Sequence, residues 1–135
     1  MGLAERRAAQ DFETNHFPGL KQKIDEAAGF EVPLEVKWDT LARDGKYVAQ
    51  WTDSWPKIYF APMIDAFKQI ARDAMGKQAL KEALKQVVVQ NTTTSFSSYW
   101  AKFEAGVLTL DYQFTNVGDI KARTEVLVKE LEKSL

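Results

Sequence analysis

The clearest alternation of apolar and polar residues lies in residues 99–114, where Leu108 and Leu110 alternate with polar neighbours. A period of two is the pattern of a half-buried β-strand. If Ala105-Gly106 forms a tight turn, Phe103 lies opposite Leu108 and the apolar side chains share one face. The register of this antiparallel hairpin should be firm, because a shift by one residue would expose that face. The predicted cross-strand pairs are Phe103 with Leu108, Ala101 with Leu110, Tyr99 with Tyr112 and, on the polar face, Lys102 with Thr109 and Trp100 with Asp111.

A second alternating stretch begins at Val32 and is followed by Asp44-Gly45, which is a strong turn signal. Centring a turn there predicts a second antiparallel hairpin with the bulky side chains on one face. We expect a loop at residues 53–56 and a short strand at residues 57–61. The predicted pairs of the second hairpin are Trp38 with Trp51, Thr40 with Ala49 and Ala42 with Tyr47.

Three regions have helical spacing of apolar residues. The first covers residues 3–28 with a break at residues 17–19, and the second begins near Pro62 and is stopped or kinked by Gly76. The third follows Asn116, which is a candidate N-cap. Between the last two, residues 87–89 are apolar on both sides and predict a central strand. The Ser/Thr-rich stretch at residues 92–98 is compatible with a long loop or a polar strand.

These elements predict a single α+β domain over residues 1–135, with about six antiparallel strands and helices packed on one face of the sheet. The order is helix, three strands, helix, three strands, helix. By this order alone the chain resembles the small dimeric chaperones of bacterial secretion systems. The resemblance implies a protein-binding homodimer.

Composition excludes several functions. The formal charge is −1, whereas nucleic-acid binding depends on neutralising phosphates, so we expect no nucleic-acid partner. We find no signal peptide and no apolar run long enough to cross a bilayer, and expect a cytoplasmic protein without a membrane partner. Cysteine is absent, which excludes disulfides and thiolate ligands, and the single histidine leaves too few ligands for zinc.

No motif supports catalysis or a cofactor. His16 is the only imidazole, and it lacks a recognisable nucleophile motif, so a helix-end histidine is favoured over a general base. Neither glycine-rich phosphate loop is present. Glu104 and Asp111 fall on the polar side of the first hairpin and are expected to be solvated. An enzyme that uses His16 is therefore the least favoured function.

Aromatic residues give the only candidate site. In the predicted hairpin Trp38, Tyr47 and Trp51 share a face, Trp55 lies on the adjacent loop, and Trp100 points to the polar side. Outward tryptophans are typical of binding surfaces, which favours a non-enzymatic protein-interaction or chaperone-like module acting as a homodimer. The alternative is a binding protein for a small apolar ligand, with a cavity lined by Trp38, Tyr47, Trp51 and Trp55.

Overall fold

A computed structural model describes residues 2–42, 45–92, 99–113 and 117–135, which form a mixed α+β fold with a four-stranded sheet. The strands are β1 (Leu34–Val36), β2 (Gln86–Gln90), β3 (Ala101–Glu104) and β4 (Val107–Asp111). The helices are α1 (Leu3–Asn15), α2 (Phe17–Ala28), α3 (Trp38–Leu41), α4 (Trp51–Trp55), α5 (Ala61–Ile70), α6 (Ala74–Ala83) and α7 (Ile120–Glu132). A 3₁₀ segment at Gly45–Gln50 precedes α4, and a π-turn at Pro56–Phe60 joins α4 to α5.

The strand order is β1-β2-β4-β3. β1 and β4 both pair in parallel with β2, and only β3 and β4 are antiparallel. The prediction of about six antiparallel strands is therefore wrong. The chain passes from β1 to β2 through α3–α6, and a connection of this length permits the parallel pairing that is observed.

The hairpin of β3 and β4 has the predicted register. Phe103 pairs with Leu108, Ala101 with Leu110 and Lys102 with Thr109. The turn residues Ala105 and Gly106 have φ angles of 52° and 81°, which is the type I′ conformation favoured in two-residue hairpin loops. The pairing of Tyr99 with Tyr112 is not among the observed pairs, and Tyr99 is exposed whereas Tyr112 is buried.

The second predicted hairpin is wrong. In the described part of this region, β1 is the only strand. The chain is helical at Trp38–Leu41 and again from Gly45 to Phe60. The predicted short strand at residues 57–61 is also helical. The element order that carried the resemblance to secretion chaperones is consequently not observed. The spacing of Trp51, Trp55 and Tyr59 does not decide between the two structures, because residues four apart lie on one side of a helix and on one side of a strand alike.

The predicted helical regions are confirmed, but the break at residues 17–19 and the interruption at Gly76 are wrong, because residues 17–19 lie inside α2 and Gly76 lies inside α6. A break at His16 separates α1 from α2, and Gly29 ends α2. The helix that begins near Pro62 ends at Ile70, and Asp73 caps α6 by accepting a hydrogen bond from the backbone N–H of Gly76. The chain reverses so tightly here that a β-carbon on Gly76 would lie 1.7 Å from the carbonyl oxygen of Ile70.

One face of the sheet is buried and the other is partly exposed. Val87, Val89, Leu108 and Leu110 are fully buried, whereas the residues that alternate with them are half-buried. α7 packs against β3 and α5, and α5 also contacts α2. The predicted turn residue Asp44, the stretch at residues 93–98 and the N-cap Asn116 lie outside the described residues.

Candidate functional site

Three of the aromatic residues singled out in the sequence meet in one cluster. The rings of Trp51 and Trp55 stack with their centres 4.9 Å apart, and the centres of Trp38 and Trp55 are 5.7 Å apart. Phe12 from α1 packs its edge against Trp55 at 5.0 Å, and Phe17 from α2 packs its edge against Trp38 at 5.3 Å. We call these five residues the aromatic cluster.

Local sequence explains the position of each tryptophan. Trp51 and Trp55 are four residues apart on α4, so both rings lie on the same side of the helix. They are 1% and 0% exposed. Trp38 is the first residue of α3, directly after β1, and is half-buried at the margin of the cluster. The prediction that Trp55 lies on a loop is wrong.

The other two candidates lie elsewhere. Tyr47 is half-buried in the 3₁₀ segment. Trp100 is 1% exposed, and its indole N–H donates to the backbone oxygen of Arg123 at 3.0 Å. The prediction that Trp100 points outward is wrong. Trp100 precedes the first residue of β3, so the alternation of side chains along the strand does not determine the direction of its side chain. The ligand or partner role of all five residues stays a prediction.

The carboxyl ends of β1, β2 and β4 meet at one edge of the sheet, because these three strands are parallel. Val89 pairs with Leu110, and two residues further on, Asn91 and Tyr112 continue the same buried face. The backbone N–H of Asn91 donates to the hydroxyl of Thr40 in α3 at 3.1 Å, which joins this edge to the segment after β1. In open sheets with parallel strands, ligands bind at this edge.

Arg123 reaches the same edge from the first turn of α7. Its side chain is fully buried, with the guanidinium carbon 5.0 Å from the centre of the Tyr112 ring. Nη2 lies 3.5 Å from the backbone oxygen of Lys57. Burial lowers the pKa of the Arg123 guanidinium, and nearby Tyr112 and Asp119 oppose that effect only in part.

Tyr59 links Arg123 to the aromatic cluster. Tyr59 follows Trp55 by four residues, and its hydroxyl donates to the backbone oxygen of Tyr112. Tyr59 therefore joins the helical segment that follows the stacked tryptophans to Tyr112, whose ring contacts the guanidinium of Arg123. We call this set the carboxyl-edge site, which comprises Trp51, Trp55, Tyr59, Asn91, Tyr112 and Arg123.

Unpaired polar atoms distinguish the carboxyl-edge site from the rest of the interior. Within the described residues, the buried side-chain nitrogen and oxygen atoms without a hydrogen-bond partner are Nε1 of Trp51 and of Trp55, Oδ1 of Asn91, and Nε and Nη1 of Arg123. All five belong to this site. Buried polar groups are nearly always paired in folded proteins, so these five exceptions require an explanation.

The sequence patterns did not predict that four residues belong to this site, namely Tyr59, Asn91, Tyr112 and Arg123. Arg123 had a detectable signal. It lies three residues after Ile120 and four before Leu127, which puts a charged residue on the apolar stripe of the terminal helix.

The remaining titratable candidates do not assemble into a site. His16 is exposed between α1 and α2, with its Nε2 3.7 Å from the carboxylate of Asp11. Glu104 lies 3.4 Å from the ammonium of Lys102, while Asp111 accepts hydrogen bonds from Gln90 and Thr92. Over the described ranges, no group of three or more acidic or histidine side chains could hold a metal ion.

Comparisons with protein families, curated proteins and solved structures gave no match for this chain. In the part of the chain that the structure describes, no helix combines the length and apolar character needed to cross a bilayer.

Proposed function

We propose that this protein binds a small apolar molecule at the carboxyl-edge site. The observation that carries the proposal is a set of five buried side-chain polar atoms without hydrogen-bond partners, two of them on the stacked indole rings and three on Asn91 and Arg123. Ligand sites typically combine aromatic walls with a few polar groups that fix orientation. This is the alternative predicted from the aromatic residues, at a site that adds Arg123 and Asn91 to Trp51 and Trp55.

The energetic argument concerns the indole nitrogens. A buried donor without an acceptor costs about 1–3 kcal/mol, and Trp51 and Trp55 each contribute one such donor. Phenylalanine at either position would fill most of the same space without that cost. A ligand acceptor placed in the planes of the rings, next to the two indole nitrogens, would recover the lost hydrogen bonds.

Trp38 connects the aromatic cluster with the surface. It forms part of the wall of a surface cleft of about 310 Å³, and its ring contacts Trp55. Because Trp51 and Trp55 are buried, a ligand that enters from this cleft must displace packed rings. The cleft is lined by Arg6, Ala9, Gln10, Glu13, Trp38 and Asp39.

Intrinsic tryptophan fluorescence tests the proposal. The probes are phenylacetate, phenylbutyrate and phenylhexanoate together with their neutral amides, which do not absorb at the wavelength that excites tryptophan selectively. We expect at least one probe to change the emission saturably and to raise the melting temperature. Trp55→Phe should weaken that binding several-fold, because the indole donor is lost while an aromatic ring remains.

Trp38→Phe is the matched control, because its indole nitrogen is not among the buried unpaired atoms. We expect this variant to bind the probes almost as well as the unmodified protein. A flat titration with all the probes, or equal loss in both variants, would contradict the proposal.

A protein-interaction function has one separate supporting observation. Met75 is 82% exposed and Leu135 is 39% exposed, and both line a surface cleft of about 250 Å³ with Ile70 at its base. Arg72 and Glu132 on the same cleft carry opposite charges. A two-fold contact requires a self-complementary surface, so the partner we propose for this cleft is a second copy of the chain.

Light scattering across a range of protein concentrations tests the homodimer. Association that Met75→Asp abolishes would support it, whereas Leu3→Asp, at an exposed apolar position on α1, should leave association unchanged. A monomer at every concentration would contradict this second proposal.

A further inference from the structure

We infer that the ligand of the carboxyl-edge site carries a carboxylate, and that this carboxylate binds the guanidinium of Arg123. The inference rests on the proposed function and specifies the class of ligand. The Arg123 side chain is fully buried, yet Nε and Nη1 have no hydrogen-bond partner in the described part of the chain. Its other polar contacts are with the Tyr112 side chain and, from Nη2 at 3.5 Å, with the backbone oxygen of Lys57.

A buried cation is retained at a large desolvation cost unless an anion balances it. The salt bridges between described residues do not include Arg123. Asp119, which is exposed at the start of α7, has an electrostatic interaction with the guanidinium that opposes the effect of burial only in part. The ring face of Tyr112 and the backbone carbonyl of Lys57 supply only partial negative charge. A full counter-ion would provide more.

The number of charges favours a carboxylate over a phosphate. Arg123 is the one cationic side chain among the residues of the carboxyl-edge site, so a monoanion neutralises the site, whereas a phosphate monoester dianion would leave a buried negative charge. Guanidinium and carboxylate also match in geometry, and their charge-assisted hydrogen bonds are stronger than neutral ones. The indole donors of Trp51 and Trp55 are also without a partner and suit a second acceptor on the ligand.

Matched acids and amides provide the test. We expect the protein to bind phenylbutyrate at least about tenfold more tightly than phenylbutyramide, by tryptophan fluorescence and by the shift in melting temperature. Arg123→Met should bind both compounds with equal affinity, and Arg123→Gln should do the same if the methionine variant does not fold. Lys57→Gln is the matched control, because it removes an exposed charge nearby and keeps the backbone oxygen that contacts Arg123.

The outcomes separate this inference from the proposed function. Equal binding of acid and amide by the unmodified protein would overturn the inference and leave the proposed function standing. A preference for the acid that survives Arg123→Met would also overturn it, as would tighter binding of benzyl phosphate than of the carboxylates. If no probe binds, the proposed function and the inference fail together.

Discussion

The guanidinium carbon of Arg123 lies 5.0 Å from the centre of the Tyr112 ring, and this contact brings the start of α7 onto the carboxyl end of β4. A desolvated cation–π contact contributes about 2 kcal/mol. Burying a charge without a counter-ion costs several kcal/mol. On these magnitudes the cost of burying the charge of Arg123 exceeds the gain from its contact with Tyr112.

We therefore predict that Arg123→Met is at least as stable as the unmodified protein, because methionine fills similar space without a charge to desolvate. Arg123→Ala should be less stable by about 2 kcal/mol or more, because it leaves a cavity beside Tyr112. Urea denaturation measures both. A methionine variant that loses as much stability as the alanine variant would show that the charge itself stabilises the fold.

The hairpin of β3 and β4 could be predicted from the sequence because the information that determines it is local. Alternation fixes which residues of β4 face the core, and Gly106 fixes the turn. The pairing of β2 with β1 and β4 is not local. The apolar run at Val87–Val89 indicates a central strand, but no short-range pattern specifies which strands are its neighbours or in which direction they run.

The pattern of residues 38–60 predicts a hairpin where the structure has helices, because two periodicities overlap there. Trp38 and Trp51 would face one another across a turn at Asp44-Gly45, whereas Trp51, Trp55 and Tyr59 recur at helical spacing. The helical alternative prevails in the structure. It places Trp55 of α4 and Phe60 of the π-turn against Phe12 of α1, a contact between elements remote in sequence that no local pattern contains.

The turn of the hairpin gives a second prediction. Gly106 has φ of 81°, and a β-carbon there would lie 3.1 Å from the carbonyl oxygen of Ala83. Gly106→Ala should lower the free energy of unfolding by about 1–2 kcal/mol, because other residues adopt the left-handed region at that cost.

Ala105 is the matched position, because it already has φ of 52° with an alanine side chain. Ala105→Asn should stabilise the protein by a few tenths of a kcal/mol, since asparagine tolerates this region better than alanine. Urea denaturation again measures both variants. Two variants that change stability in the same direction would contradict the type I′ turn.

The close approach of α5 and α6 gives a third prediction. Gly76→Ala would put a β-carbon 1.7 Å from the oxygen of Ile70, so backbone must move, and we expect a loss of about 1–3 kcal/mol. Gly19→Ala makes the same chemical change in α2, where no atom lies within 4 Å of the added carbon. It should stabilise the protein by about 0.4–1 kcal/mol. Thermal unfolding that shows no difference between these variants would contradict the packing of α6 against the end of α5.

Glu130 gives a prediction for the dependence of stability on pH. Its carboxylate accepts a hydrogen bond from the backbone N–H of Phe103 at 2.8 Å and pairs with Lys133 at 2.8 Å. Burial alone would raise the pKa of Glu130, but the contacts with Lys133 and Phe103 outweigh it and hold the pKa below its ordinary value. A lowered pKa in the folded state means that Glu130 contributes its full stabilisation above the unfolded pKa of about 4.3, and that this contribution is lost as the pH falls through the folded value.

Glu130→Gln should therefore lower the free energy of unfolding by about 1 kcal/mol at neutral pH, because a neutral amide makes weaker contacts with Lys133 and with the N–H of Phe103. The difference from the unmodified protein should shrink below a pH of about 4, when both side chains are uncharged. Glu125→Gln, at an exposed position on the same helix, should have little effect at any pH. If the difference in free energy of unfolding between Glu130→Gln and the unmodified protein stays constant from neutral to acid pH, the charge of Glu130 does not stabilise the contact between α7 and β3.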